Sequence, residues 1–382
     1  MTPRRLLGVG ALIGAPLATY VGYPTLVWAV AVLRPRTFVK DAMHRPRVTF
    51  VIAAHNEAAL IGAKVRSILN LDYPADRLDC IVACDGCTDD TSAVARAAGD
   101  ARLHVLELPR HRGKLAAIRA ALPHVRGEVI AFTDANAILE QDALSHLVVP
   151  FADSDVVVVS GAKQVSNGPE AIYWRYERWL RVRESASGSV AGADGALYAV
   201  RATAVDASAR PGAADDLLIS LRAAQAGGRI VFAPNARTTE TASPGAARAF
   251  AARTRTVSGA LFALASLPHL LRPRRNDLWW KLTGHKLLRI AAPLLMAVGT
   301  IVLIHPLPRV RTTAWTAVAG LVPALALLLV PGGDFARSAR RLARYALAAN
   351  LAALAGLARF LARRPIDAWT PERQAPAKTH LN

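Results

Sequence analysis

Apolar positions along this chain follow two patterns, and the patterns divide it. The first is the long unbroken run. Residues 6–33 carry no charge over a length that spans a bilayer, with Arg4 and Arg5 before them and Arg34, Arg36, Lys40, Arg45 and Arg47 after them. A cleaved signal is not expected: the run exceeds a usual signal core, and Pro16, Tyr20, Tyr23, Pro24 and Trp28 stand where small residues would mark a cleavage site. Further apolar runs fall at 287–304, 314–330 and 345–362, the last weakened by Asn350 and Arg359.

The second pattern is the short β-branched run that stops at a polar residue and is followed by a helical repeat. Residues 47–54 predict a strand ending at His55, Asn56 and Glu57, and residues 58–69 a helix. Residues 80–84 predict a second strand, ending at Asp85 and Gly86, and Thr88, Asp89, Asp90 and Thr91 offer caps for a helix through Ala98. A third strand, 103–108, leads through the basic loop Arg110, His111, Arg112, Gly113 and Lys114 to a helix at 115–122. The strand 129–132 then stops just before Asp134, and another is expected at 156–161. Strands alternating with helices at short loop lengths predict an α/β fold, a parallel sheet with crossover helices.

Composition adds a compartment. The chain has 382 residues, 53% hydrophobic, with a formal net charge of +19, too long and too apolar for one ordinary soluble domain. Much of the positive charge flanks the apolar runs, where it attracts anionic headgroups. No basic cluster is interleaved with stacking aromatics, so nucleic acid is not the expected partner. Positive charge after the first run and at Arg337, Arg340, Arg341 and Arg344 predicts a multi-pass inner (plasma) membrane protein with its central domain in the cytoplasm. Three C-terminal spans would leave Arg363, Arg364, Arg373 and Lys378 outside, so either the last run is interfacial or the charge rule is broken here. The expected organisation is a membrane helix and basic linker at 1–46, a cytoplasmic domain at 47–245, amphipathic interfacial helices at 246–283, membrane helices at 284–364 and a tail at 365–382. Cys80, Cys84 and Cys87 form no second pair, so a zinc site lacks ligands and a cytoplasmic setting argues against a disulfide.

Candidate chemistry gathers where the strands end, at Glu57, Asp85, Lys114 and Asp134. A cation among carboxylates at one sheet edge suits a nucleotide diphosphate bridged to a metal. Asp134 with Asn136 offers two hard oxygen ligands for a divalent ion; alternatively Asp134 caps the helix expected after it. There is no P-loop and no GxGxxG after the first strand, which removes the usual support for ATPase and dinucleotide readings. Residues 173–179, with two Tyr and two Trp, suit either a headgroup-facing helix or ordinary core packing.

This order of motifs resembles glycosyltransferase family 2, inverting enzymes of the GT-A fold that use nucleotide sugars. Asn56-Glu57 and Asp85-Gly86-Cys87-Thr88-Asp89 resemble its first two strand ends, Arg112-Gly113-Lys114 its diphosphate-side segment and Asp134-Ala135-Asn136 its DxD motif, with Asn in place of the second acid. The resemblance implies a GT-A domain with a mixed, mostly parallel sheet, plus transmembrane and interfacial helices. It implies that Glu57, Asp85, Lys114, Asp134 and Arg255 bind the donor, that Asp134 and Asn136 hold Mg or Mn, and that Asp194 and Gly195 lie on the acceptor side. Asp216, with Asp215 beside it, would be the general base; read without the family, the pair would be two acids at a helix start, and Asp194 a turn residue. Processive members carry Gln-x-x-Arg-Trp. Here Arg255 and Gly259 align but Ala252 and Thr256 replace the Gln and Trp, so the stacking platform for a growing chain is missing.

The expected activity is transfer from a UDP-sugar to a saccharide or lipid-linked acceptor in cell-envelope or extracellular polysaccharide synthesis, with membrane lipid and membrane-protein partners. The alternatives are a non-processive glycolipid synthase and a non-catalytic membrane subunit. A transporter is disfavoured, since Arg289 and Arg359 are nearly the only ionisable groups in the runs.

Overall fold

The computed structural model describes residues 3–165, 169–208, 210–240, 246–273, 276–304 and 334–365. Their contacts define two units: residues 37–165 with 192–240, and the described parts of 3–36, 169–191 and 246–365. The domain expected at 47–245 is therefore interrupted, because residues 169–191 pack with the long apolar helices.

In the first unit the early apolar runs line up as predicted. β1 (Val48–Ala54) lies between β2 (Leu78–Asp85) and β4 (Val129–Phe132), parallel to both, with Val48 opposite Leu78 and Val129. β3 (Leu103–Leu108) adds in parallel to β2. Every β1 residue except Ala53 is buried, as expected of a central strand covered on both faces. The helix Ala58–Leu69 supplies part of that cover through Ile61, Val65 and Ile68, whose three- and four-residue spacing makes one stripe.

Of the other half of the sheet, only the strand expected at 156–161 was visible in the pattern. β7 (Tyr198–Arg201) runs antiparallel to β4 and to β6 (Val156–Val165), β8 (Arg229–Glu240) runs parallel to β6, and the three-residue β5 (Ala137–Leu139) is antiparallel to β8. The resulting order is β3-β2-β1-β4-β7-β6-β8-β5, a mixed sheet with mostly parallel strands. β5 and β7 are too short for a period to register, and β8 carries Pro234 and two arginines that break the alternation.

In the second unit, two helices among the described residues are long and apolar enough to cross a membrane: Leu6–Leu33 and Trp279–Val302. The first is interrupted by wide turns at Gly10–Gly14 and Ala18–Gly22, next to Pro16 and Pro24. The aromatic helix Pro169–Ala186 packs against these helices: Leu180 is buried with Tyr23 and Val27, and Tyr176 lies against them. A buried polar network pins the contact. Glu184 accepts from the Tyr23 hydroxyl and faces His285 Nδ1 at 2.7 Å, while Glu177 faces His285 Nε2 at 3.1 Å and pairs with Arg289. The run at 345–362 is part of a longer amphipathic helix, Asp334–Leu361, packed on Ala246–Ser266 with Phe360 edge-on to Phe262. It is not among the two helices apolar enough to span. The run at 314–330 lies outside the described residues.

The ends of β1 and β2 set up the chemistry. Asn56 is held at φ 54°, left-handed for a residue with a side chain, and its Oδ1 accepts the Thr88 N–H at 2.8 Å. Gly86 turns at φ 60°, and a Cβ there would lie 2.3 Å from the His111 nitrogen. Gly86→Ala is expected to cost roughly 1–3 kcal/mol, from strain and from pushing the 110–113 loop away, and urea unfolding measures it.

Candidate active site

The site begins with a carboxylate used for construction. Asp85, almost fully buried, accepts the Arg112 N–H at 2.9 Å and the Gly113 N–H at 2.7 Å and meets His111 Nδ1 at 2.7 Å. Charge-assisted bonds of this kind fix a loop firmly. The His55 ring stacks on His111, centroids 3.7 Å apart. Gly113, at φ 91°, then redirects the chain so that the helix Lys114–Ala121 starts with its first side chain facing the acids.

Lys114 Nζ sits 2.7 Å from Asp134 Oδ1 and 2.9 Å from Asp215 Oδ2. Burial opposes its charge, but Asp134 and Asp215 more than compensate and hold the ammonium well above its ordinary pKa. Asp134 lies just past β4, and β5 follows it directly; the next helix, Ala143–Val148, starts nine residues later. Asp134 therefore caps no helix, and that alternative is excluded.

Asp215 and Asp216 open the helix Asp215–Ala224. Asp216 accepts the Gly195 N–H at 2.9 Å through Oδ2 and the Leu217 N–H at 2.7 Å through Oδ1. Burial and then Asp215 push its carboxyl up to about 7, with Lys114 pulling the other way and Asp194 adding to the rise. Gly195 fits between acids: a Cβ there would lie 3.2 Å from Asp134 Oδ2 and 3.5 Å from Asp216 Oδ2. Asp194 Oδ1 accepts the Ala196 N–H at 3.1 Å, which shapes that turn.

Glu57 is buried at the start of its helix, and burial, Asp134 and Asp89 push it up to about 7. Asn136 is exposed on the turn after Asp134. Arg255 lies on the helix Ala246–Ser266 of the other unit, exposed. The structure thus brings Lys114, Asp134, Asp215, Asp216 and Gly195 into contact from four stretches of chain.

Three lysines shape the region, and the sequence reading found only Lys114. Lys163 on β6 pairs with Glu240 on β8, and both feel the charges of Asp134 and Asp194. Lys64 is fully buried behind the Asp134 turn. Its signal was present, since it falls on the buried stripe of Ile61, Val65 and Ile68, where a lysine is out of place. Lys163 and Glu240 left no such signal, because the pairing of β6 with β8 brings them together.

Among the described residues no three His, Cys, Asp or Glu side chains form a metal cage of their own. The hard oxygens of Asp134 and Asn136 still fit a Mg²⁺ or Mn²⁺ that takes its other ligands from phosphate and water. The buried Tyr198 hydroxyl beneath this cluster has no hydrogen-bond partner among the described residues, and the ring stacks on Phe132 at 4.9 Å.

Residues 46–259 match the family described as glycosyltransferase like family 2. A beta-monoglucosyldiacylglycerol synthase of Nostoc sp. is 29% identical over 213 residues, which cover 53% of this chain and 45% of that protein. An N-acetylglucosaminyltransferase of Mesorhizobium japonicum is 30% identical over 146 residues, covering 36% of this chain and 34% of that protein. This chain thus spans less than half the length of these relatives. The structure of a mannosyltransferase from Pyrobaculum calidifontis, in complex with GDP-Man and Mn²⁺, superposes with a TM-score of 0.75 at 24% identity, covering 94% of this chain and 99% of that one. It is a GT-A neighbour, and the likeness establishes the fold.

Lys114→Met is expected to make stability more sensitive to pH. The native Asp216 carboxyl, at about 7, holds a proton that an unfolded Asp loses near pH ~4, so stability falls as pH rises between those values. Without Lys114 the Asp216 carboxyl rises further, so the fall of melting temperature with pH, measured from pH 4 to 8, should extend above pH 7 in the variant while the wild type levels off there.

Proposed function

Because this chain belongs to the glycosyltransferase 2-like family, we propose that it transfers a sugar, with inversion, from a nucleoside-diphosphate sugar to an acceptor hydroxyl at a membrane surface. The observation that carries this reading is the pairing of a cation-clamped acid with a proton-accepting one: Lys114 between Asp134 and Asp215, and Asp216 poised near neutrality one residue on.

In the proposed step the acceptor oxygen bonds to the anomeric carbon as the bond from that carbon to the phosphate oxygen breaks. The acceptor proton passes to the Asp216 carboxylate, and the nucleoside diphosphate leaves with the electron pair. The Gly195 N–H orients Asp216, and the absent side chain of Gly195 leaves room beside both acids. Lys114 stabilises charge on the leaving diphosphate. Asp134 and Asn136 would hold Mg²⁺ or Mn²⁺, which when bound neutralises phosphate oxygens. Glu57 and the loop that Asp85 anchors form the nucleoside side of the donor site.

UDP-sugar is the proposed donor class. The Nostoc relative's name and the two membrane-length helices support a lipid acceptor, and Ala252 and Thr256, standing where processive members have Gln and Trp, support a single transfer. A second reading is a saccharide acceptor in envelope polysaccharide synthesis, with the same Asn56-Glu57, Asp85-Gly86 and Asp134-Ala135-Asn136 series, which resembles glycosyltransferase family 2, on the donor side.

The test is nucleoside diphosphate release by the detergent-purified chain, with UDP-glucose, UDP-N-acetylglucosamine and GDP-mannose, with Mg²⁺ or Mn²⁺, and with diacylglycerol or oligosaccharide acceptors. Asp216→Asn should lower turnover at least ~100-fold while donor affinity stays within about twofold. Turnover should rise about tenfold per pH unit below pH 7 and level off above it, as Asp216 ionises. Release from no donor, or release that Asp216→Asn leaves intact, would favour the non-catalytic subunit.

A further inference from the structure

We infer that Lys64 is a positioning residue that locks the 133–137 turn, and with it Asp134, against the Gly195 turn that holds Asp216. The inference rests on the proposed roles of those two aspartates, and the lock itself is a matter of hydrogen-bond direction.

Lys64 lies on the helix Ala58–Leu69 with no exposed surface. Its Nζ donates to Thr133 Oγ1 at 2.6 Å and to the carbonyl of Ala137. These partners bracket Asp134-Ala135-Asn136, so one ammonium holds both ends of the turn. Thr133 has a single hydroxyl proton, and it goes to the Ala196 carbonyl at 2.6 Å. Its oxygen must therefore accept, and a lysine can only donate, which gives the chain one direction from Lys64 through Thr133 to Ala196. The neighbouring Gly195 N–H completes it by donating to Asp216 Oδ2 at 2.9 Å. Lys64 thus sets the spacing between two carboxylates that it does not bond.

Stability does not explain the choice of residue. A lysine on a buried apolar stripe, bonded only to neutral groups, is disfavoured against an apolar residue of similar volume. Burial pulls its pKa down to about 7, with the Asp134 charge working the other way. What the lysine supplies, and methionine would not, is two donors aimed at opposite ends of a three-residue turn.

The experiment compares the full-length wild type, Lys64→Met and Thr133→Val in detergent, by peptide-level hydrogen exchange and by donor kinetics. In Lys64→Met, exchange across 133–139 and 194–198 should quicken about tenfold while β1 and β2 keep wild-type rates. Turnover should fall about tenfold with the donor KM within about twofold, because the carboxylates shift relative to each other rather than vanish. Thr133→Val, which keeps the Lys64 bond to Ala137, should loosen 194–198 more than 136–139. Unchanged exchange in both segments would overturn the inference. So would faster exchange spread over the whole sheet, which marks a merely structural lysine. Should Lys64→Met not fold, Thr133→Val decides by the same two outcomes. If the wild type transfers no sugar, the exchange pattern still tests the lock, so the two proposals fail separately.

Discussion

One ammonium group, shared between two carboxylates, is the constraint on which the rest of this site depends. Asp134 arrives from the end of β4 and Asp215 from the start of a helix, and Lys114 Nζ lies within 2.9 Å of both. Three aspartates and a buried glutamate in one region would repel one another strongly. The chain relieves that in two ways, by placing Lys114 between two of them and by letting Asp216 and Glu57 hold protons up to about neutral pH. The second device is also what gives Asp216 a proton affinity suited to base chemistry near pH 7.

The cation is placed by residues that do no chemistry of their own. Asp85 uses its carboxylate on the amides of Arg112 and Gly113, and Gly86 leaves room for the His111 backbone. Behind the acids, Lys64 and Thr133 tie the turn after β4 to the turn before β7. Functional side chains are held from behind by buried hydrogen bonds, so substitutions at exposed positions nearby should matter less than those at Asp85 or Thr133.

In the other unit the same economy of charge appears. Glu177 and Glu184 are buried, but His285, Arg289 and Tyr23 meet their carboxylates within the unit, and Lys281 donates to the Glu184 backbone carbonyl. The arginine that stands out in the apolar run, Arg289, pairs there with Glu177. The aromatic helix Pro169–Ala186 is the element so anchored, and its rings pack against apolar helices as well as facing outward.

By itself the sequence determined the parallel half of the sheet, the two membrane-length helices and the residue types at the strand ends. Each of these rests on neighbours a few positions apart: the continuous apolar run of β1, the stripe on Ala58–Leu69, the uncharged length of Leu6–Leu33. Tertiary structure alone decided that β5, not a helix, follows Asp134, that β7 and β8 join the sheet, and that residues 169–191 pack outside the unit that holds the sheet. It also decided what Lys64 and Lys163 touch, and that Asp85 faces inward to its own loop. Those outcomes depend on contacts between residues tens to more than a hundred positions apart. Such contacts form only when buried groups must find partners, and no local period carries that requirement.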